Sequence, residues 1–124
     1  MQRIKMVVSL LGAVRHDEQT NLYVSLCPAL KLYSAGKNRE EAVKALESTV
    51  LLFLTTCFER GKLNSVLQQR GFTKTLAPDT ARPTMEVARE YIAILEESKF
   101  DETFDMTVPL ELVAARQHEL AGVA

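Results

Sequence analysis

Residues 22–42, LYVSLCPALKLYSAGKNREEA, carry the local signals that decide the fold. Residues 22–26 and 30–34 alternate in side-chain character, which is typical of short strands. Pro28 lies between them and ends the first strand, because proline has no N–H to donate to a sheet ladder. With so short a connection, the two predicted strands are expected to pair antiparallel.

The second half of this stretch predicts the start of a long helix. Gly36-Lys37 makes a turn, Asn38 is a favoured N-cap residue, and Glu41 stands where it completes a capping box. The predicted helix runs over residues 39–60 and stops before Gly61. Steps of three and four residues define an apolar stripe that should cover one face of the sheet: Val43, Leu46, Val50, Phe53 and Cys57.

Upstream of these elements, residues 4–14 are rich in valine and leucine and predict a first strand. The polar residues 15–21 then form a hairpin loop. The three strands would make an antiparallel meander packed on the long helix. A chain of 124 residues with 47% hydrophobic residues suits one folded core rather than wholesale disorder.

Downstream of the long helix, the pattern mixes helices with one strand. The predicted elements are a helix over residues 63–70, a linker or exposed loop over 73–83, a helix over 84–99, a strand over 104–110 and a helix over 112–121. Pro109 indicates an edge or the end of the strand. The fold class is therefore α+β in the order β-β-β-α-α-α-β-α, with the late strand available as a fourth strand of the meander. Residues 1–72 would form the β-β-β-α domain, and residues 73–124 would join the same fold or an oligomer interface.

The first 72 residues resemble the HicB-like antitoxins of bacterial toxin–antitoxin systems. The matching residues are Tyr23-Val24, Cys27-Pro28-Ala29-Leu30, Ser34, Gly36 and Glu40-Glu41-Ala42. One residue and two dipeptides depart from the family's usual run. Ala29 stands where an acidic residue is common, Lys31-Leu32 replaces Pro-Gly, and Lys37-Asn38 replaces Asp-Thr.

The resemblance implies a function as well as a fold. A HicB-like antitoxin would bind a small, basic, HicA-like toxin ribonuclease and occlude its catalytic histidine. Val108-Pro109-Leu110 also resembles the strand end that precedes a helical DNA-binding unit in HicB-like proteins. A ribbon–helix–helix needs a second helix after its first, and the sequence offers one helix at most, so DNA binding is not expected.

The long helix is more apolar in its second half than a helix with one buried side needs to be. We therefore expect this half and the late strand to form a partner or oligomer interface. The candidate interface residues are Leu51, Leu54, Phe58, Phe104, Met106 and Val108. The late strand has two possible roles, as a fourth strand of its own sheet or as a strand donated to a neighbour. Homodimerisation is the expected quaternary state.

The sequence predicts no catalytic, cofactor-binding or metal-binding residues. His16 lies in a polar loop, His118 lies in the last predicted helix, and no spacing typical of a metal site is present. Cys27 and Cys57 are expected to be structural thiols in a reduced, cytoplasmic protein. The predicted strands present no converging carboxylates, which excludes a metal-dependent hydrolase of the ribonuclease-H type.

Two functional hypotheses remain. The first is a HicB-like antitoxin, or a protein derived from one, with a HicA-like toxin as its partner. The second is a stand-alone homo-oligomeric interaction or structural protein that keeps the fold without a toxin. The net charge of -1 gives no long-range attraction to nucleic acid or to an anionic membrane, and no apolar run reaches the length of a membrane span.

Overall fold

The structure, a computed structural model, describes residues 3–75, 80–100 and 102–113 of the chain. These residues form a mixed sheet and three helices. The elements are β1 Arg3–Asp17, β2 Leu22–Cys27, β3 Leu32–Gly36, α1 Arg39–Glu59, α2 Leu63–Gln69, β4 Phe72–Thr75, β5 Thr80–Pro83, α3 Met85–Glu97 and β6 Glu102–Val113. The predicted α+β class and the long helix packed on the sheet are confirmed.

β1 is the central strand of the sheet. Along one of its edges, residues 3–14 of β1 pair antiparallel with the whole of β6, from Arg3↔Val113 to Val14↔Glu102. The other edge is shared, because β2 pairs antiparallel with the end of β1 and β5 pairs parallel with its middle, at Val7 and Val8. β3 continues the sheet beyond β2, and β4 continues it beyond β5.

The main core lies between the sheet and α1. Successive strand residues point to opposite faces, so alternate residues of β1 and β6 line the α1 side of the sheet. α1 covers them with a four-residue stripe of fully buried side chains. The core includes Met6, Val8 and Leu10 of β1, Leu46, Val50 and Leu54 of α1, and Met106, Val108 and Leu110 of β6.

The first turn of α1 approaches the sheet closely. The Ser25 hydroxyl on β2 donates a 2.9 Å hydrogen bond to the carbonyl oxygen of Ala42. A Cβ on Gly36 would lie 2.5 Å from the backbone nitrogen of Ala42, so only glycine fits at this end of β3. Asn38 is the N-cap as predicted, and its side chain accepts from the Glu41 N–H. The Glu41 carboxylate accepts from the Lys37 N–H, one residue before the N-cap N–H that a capping box uses.

α3 contacts β1 and β5 and is held by a smaller core. Leu95 and Phe100 pack there on Ala13 and Leu26. The Tyr91 hydroxyl adds a 2.7 Å hydrogen bond to the carbonyl oxygen of Arg70. α3 is thus tied both to the sheet and to the end of α2.

Three predictions need correction. The loop predicted over residues 73–83 is wrong, because Phe72–Thr75 and Thr80–Pro83 are paired strands. The apolar stripe of α1 runs through Ala42, Leu46, Val50 and Leu54, so it is rotated from the predicted one at both ends. Leu112 and Val113 belong to β6 rather than to a last helix, and the rest of that predicted helix lies outside the described residues.

Candidate interaction surface

The outer face of α1 carries two exposed leucines. Leu51 is 43% exposed and Leu52 is 70% exposed, whereas Leu54 is 0% exposed. The difference follows from helix geometry, because residues 46, 50 and 54 follow one another at four-residue steps. This leaves Leu52 on the opposite side of the helix and Leu51 on its flank. Two leucines in water are unfavourable unless something covers them.

A groove of about 350 Å³ runs beside these leucines, between α1 and β6. Lys44, Glu47, Ser48 and Leu51 form one wall, and Thr107, Val108 and Pro109 form the other. The floor is apolar and the rim is charged. A surface of this kind suits a protein partner better than a small apolar ligand.

The structure separates the six predicted interface residues into three groups. Leu54, Met106 and Val108 lie in the core, and Val108 also lines the groove beside α1. Phe58 and Phe104 are partly buried and pack against the same core. Leu51 alone among the six is exposed. The strand prediction placed Met106 and Val108 correctly in a β-strand, but that strand buries them beneath α1.

The interface predicted from the sequence did not include Leu52, although its side chain is exposed. Its position was signalled by the four-residue steps from Leu46 to Leu54, which predict Leu52 on the outer side. The signal was obscured because residues 50–54 are nearly all apolar, so that sequence periodicity alone does not say which of them face the sheet.

β6 presents a second feature of this surface. In the part of the chain that the structure describes, its edge away from β1 has no strand beside it. Pro109 interrupts this edge, since it has no N–H for a further strand, and Asp105 adds a charge. Both residues oppose the pairing of another strand with this edge. A partner is therefore expected to bind α1 rather than the edge of β6.

No group of three or more His, Cys, Asp or Glu side chains converges as a metal site within residues 6–73, 81–100 and 102–110. Burial raises the pKa of the Cys27 thiol to about 11, so it stays protonated and weakly nucleophilic. His16 is hydrogen-bonded to Asn21 at the exposed β1–β2 turn, 3.0 Å away.

A further depression of about 450 Å³ lies between α2 and the β4–β5 pair. Its described lining combines core side chains such as Met6 and Phe72 with Asn64, Gln68 and Thr73, none of which titrates at neutral pH. This lining offers hydrogen bonds without acid–base chemistry.

No helix among the described elements is both long and apolar enough to cross a membrane. Comparison with family models, with curated proteins and with solved structures finds no significant match to this chain.

Proposed function

We propose that this chain is a HicB-like antitoxin, or a protein derived from one, that binds a small HicA-like toxin ribonuclease in the cytoplasm and occludes it. The observation that carries the proposal is the outer face of α1. There Leu51 and Leu52 are exposed on a helix whose other side is fully packed. The strand–strand–helix unit that bears the HicB-like residues also bears this face.

The charge around the leucines supports a basic partner. α1 contains Glu40, Glu41, Glu47 and Glu59, and its cations are Arg39 and Lys44. Arg39 is already paired with Glu102. Glu47 and Glu59 lie on the same part of α1 as the leucines, and carboxylates there would complement a cationic, RNA-binding protein and would speed their association.

The test is co-expression with the product of an adjacent gene that encodes a small basic protein. The expected result is a stable complex on copurification and relief of toxicity. Leu52→Asp should weaken the complex, because it places a charge at the centre of the apolar patch. Met85→Asp on α3 is the matched control, since Met85 is 75% exposed and Leu52 is 70% exposed. If no such protein binds the chain, the antitoxin proposal fails.

A second candidate is a homo-oligomeric interaction protein without a toxin. The favouring observation is again Leu51 and Leu52, which a second copy would cover as well as a toxin would. Light scattering over a range of concentrations tests it. A molecular mass that stays at the value for one chain would exclude this candidate and leave the first untouched.

A further inference from the structure

The outer face of α1 is built from two parallel rows of side chains. Residues four apart on a helix form a continuous ridge. One ridge here contains Lys44, Ser48, Leu52 and Thr56, and its neighbour contains Glu47, Leu51, Thr55 and Glu59. The ridge that contains Lys44 lies opposite the buried stripe, and the ridge that contains Glu47 lies beside it, toward β6. Six of the eight residues are exposed, while Thr55 and Thr56 are half-buried.

The two ridges have complementary side chains when two copies of α1 are placed antiparallel. A two-fold axis between Leu51 and Leu52 sets the first ridge of one copy against the second ridge of another. Lys44 then meets Glu59 of the other copy, and Leu52 meets its Leu51. An ammonium faces a carboxylate at each end of the contact, and leucines face each other in the middle.

One further pair also fits. Ser48 meets Thr55, so small hydroxyl side chains flank the leucines and let the two helices approach to ordinary packing distance. Thr56 and Glu47 lie at the outer edges of the seam, because each step of four residues rotates a ridge by about 40°, and the Thr56 hydroxyl donates within its own helix to the carbonyl oxygen of Leu52. The pairs that face each other across the seam are therefore of matching chemistry.

We propose that the outer face of α1 is a self-complementary seam through which two copies of this chain pack antiparallel, centred on Leu51 and Leu52. This inference rests on the second candidate function and specifies its interface. It does not require that a toxin exists.

The charges determine the orientation. A parallel pair of α1 helices would place Lys44 beside Lys44 and Glu59 beside Glu59, and like charges at both ends oppose that arrangement. In the monomer Lys44 forms an ion pair with Glu40 at 3.3 Å, and both side chains are more than 70% exposed. Such a solvated pair contributes little, so Lys44 is available to the other copy.

The groove beside α1 would extend the contact. Lys44, Glu47, Ser48 and Leu51 line it as well as belonging to the ridges, so a second helix on the seam also covers the groove. The contact area is that of one helix pair, which lies at the small end for stable dimers. We therefore expect a dissociation constant on the order of micromolar.

The first experiment is zero-length carbodiimide cross-linking followed by mass spectrometry. Lys44 and Glu59 lie at opposite ends of one rigid helix, roughly 22 Å apart at 1.5 Å per residue. A direct amide bond between them therefore has to join two chains. The expected product is a Lys44–Glu59 link in the dimer band, and a dimer band that lacks this link overturns the seam.

The second experiment is a charge exchange read by sedimentation equilibrium. Lys44→Glu and Glu59→Lys should each weaken the dimer several-fold, because each creates two repulsive contacts. The double variant Lys44→Glu/Glu59→Lys should restore it, because the pairs return with their signs exchanged. Leu52→Asp should abolish the dimer, whereas Met85→Asp should leave it intact, and circular dichroism checks that each variant is folded.

The outcomes separate the seam from the candidate function on which it rests. A chain that stays monomeric at every concentration overturns both. A dimer that is insensitive to Leu52→Asp, or that the double charge exchange does not restore, overturns the seam and leaves homo-oligomerisation standing. Toxin binding is measured separately, and its outcome bears neither on the seam nor on homo-oligomerisation.

Discussion

Gly12 shows how one residue leaves room for the side chain opposite it on the next strand. It lies opposite Phe104 in the register, and a Cβ at Gly12 would lie 2.5 Å from the Phe104 ring. The ring therefore occupies the space that a side chain on β1 would need. An aromatic residue packed over a glycine on the next strand also covers the glycine's exposed backbone.

Gly12→Ala should consequently destabilise the fold by about 1–3 kcal/mol, because the added methyl group displaces the Phe104 ring. Urea denaturation measures the loss. The contact is isolated by repeating the substitution in a Phe104→Ala background, where the methyl group has room and should cost much less. Equal costs in the two backgrounds would show that the ring is not what excludes a side chain at Gly12.

Cys27 links a buried side chain to the pH dependence of stability. Burial raises the pKa of its thiol from 9.0 to about 11, so the folded state retains the proton after the unfolded state has lost it. The unfolded state then binds fewer protons, and the free energy of unfolding falls as the pH rises between about 9 and 11.

The loss attributable to Cys27 should reach roughly 2 kcal/mol at the upper end of this range. Cys27→Ala should flatten the fall, even though the variant is less stable at neutral pH. Cys57→Ala is the control, because Cys57 is half-buried and should leave most of the fall in place. Tyr91, whose pKa burial also raises, is present in all three proteins. Parallel curves for Cys27→Ala and the unchanged chain would contradict the assignment.

At the scale of the elements, local signals predicted α1 well and the β4–β5 pair poorly. The start of α1 is fixed by Asn38 and Glu41, which act within one turn, so the sequence placed its beginning at the right residue. β5 is a four-residue strand that ends in Pro83 and pairs with residues of β1 that lie 73 positions upstream. Nothing within its own sequence indicates that partner, and its proline is typical of a loop.

The rotation of the α1 stripe has the same origin. The predicted stripe began at Val43, but the sheet holds the helix at Ala42 through the Ser25 hydrogen bond and the close approach of Gly36. That contact joins β2, β3 and the helix, so helical periodicity alone could not reveal it. The candidate surface shifted accordingly, from Leu54 to Leu52.

β6 provides a direct test of which strand residues are structural. Val108 is 3% exposed beneath α1, and its neighbour Thr107 is exposed. Val108→Asp should lower the free energy of unfolding by more than about 3 kcal/mol, because it buries an unpaired carboxylate. Thr107→Asp on the same strand should cost less than about 1 kcal/mol. Thermal unfolding of the two variants compares them, and a stable Val108→Asp protein would show that β6 does not pack as described.

At the scale of the whole molecule, the sheet joins the two ends of the described chain. β6 pairs with β1 along twelve positions, although nearly the whole sequence separates them. The main core draws Val8 and Leu10 from β1 and Met106 and Val108 from β6. The segment that carries the HicB-like residues therefore completes its core with residues from the other end of the chain.

Residues 1–72 should accordingly fail to fold alone. Without β6, the side of β1 that faces α1 loses Met106, Val108 and Leu110, and β1 also loses its longest hydrogen-bonded neighbour. A chain this short already buries a smaller fraction of its surface than the complete one and has little stability to lose. The fragment should show a weak far-ultraviolet circular dichroism signal and no cooperative thermal transition. The 124-residue chain should unfold in a cooperative transition under the same conditions. A fragment that unfolds cooperatively would show that the strand–strand–helix unit is a domain in its own right and that β6 only extends it.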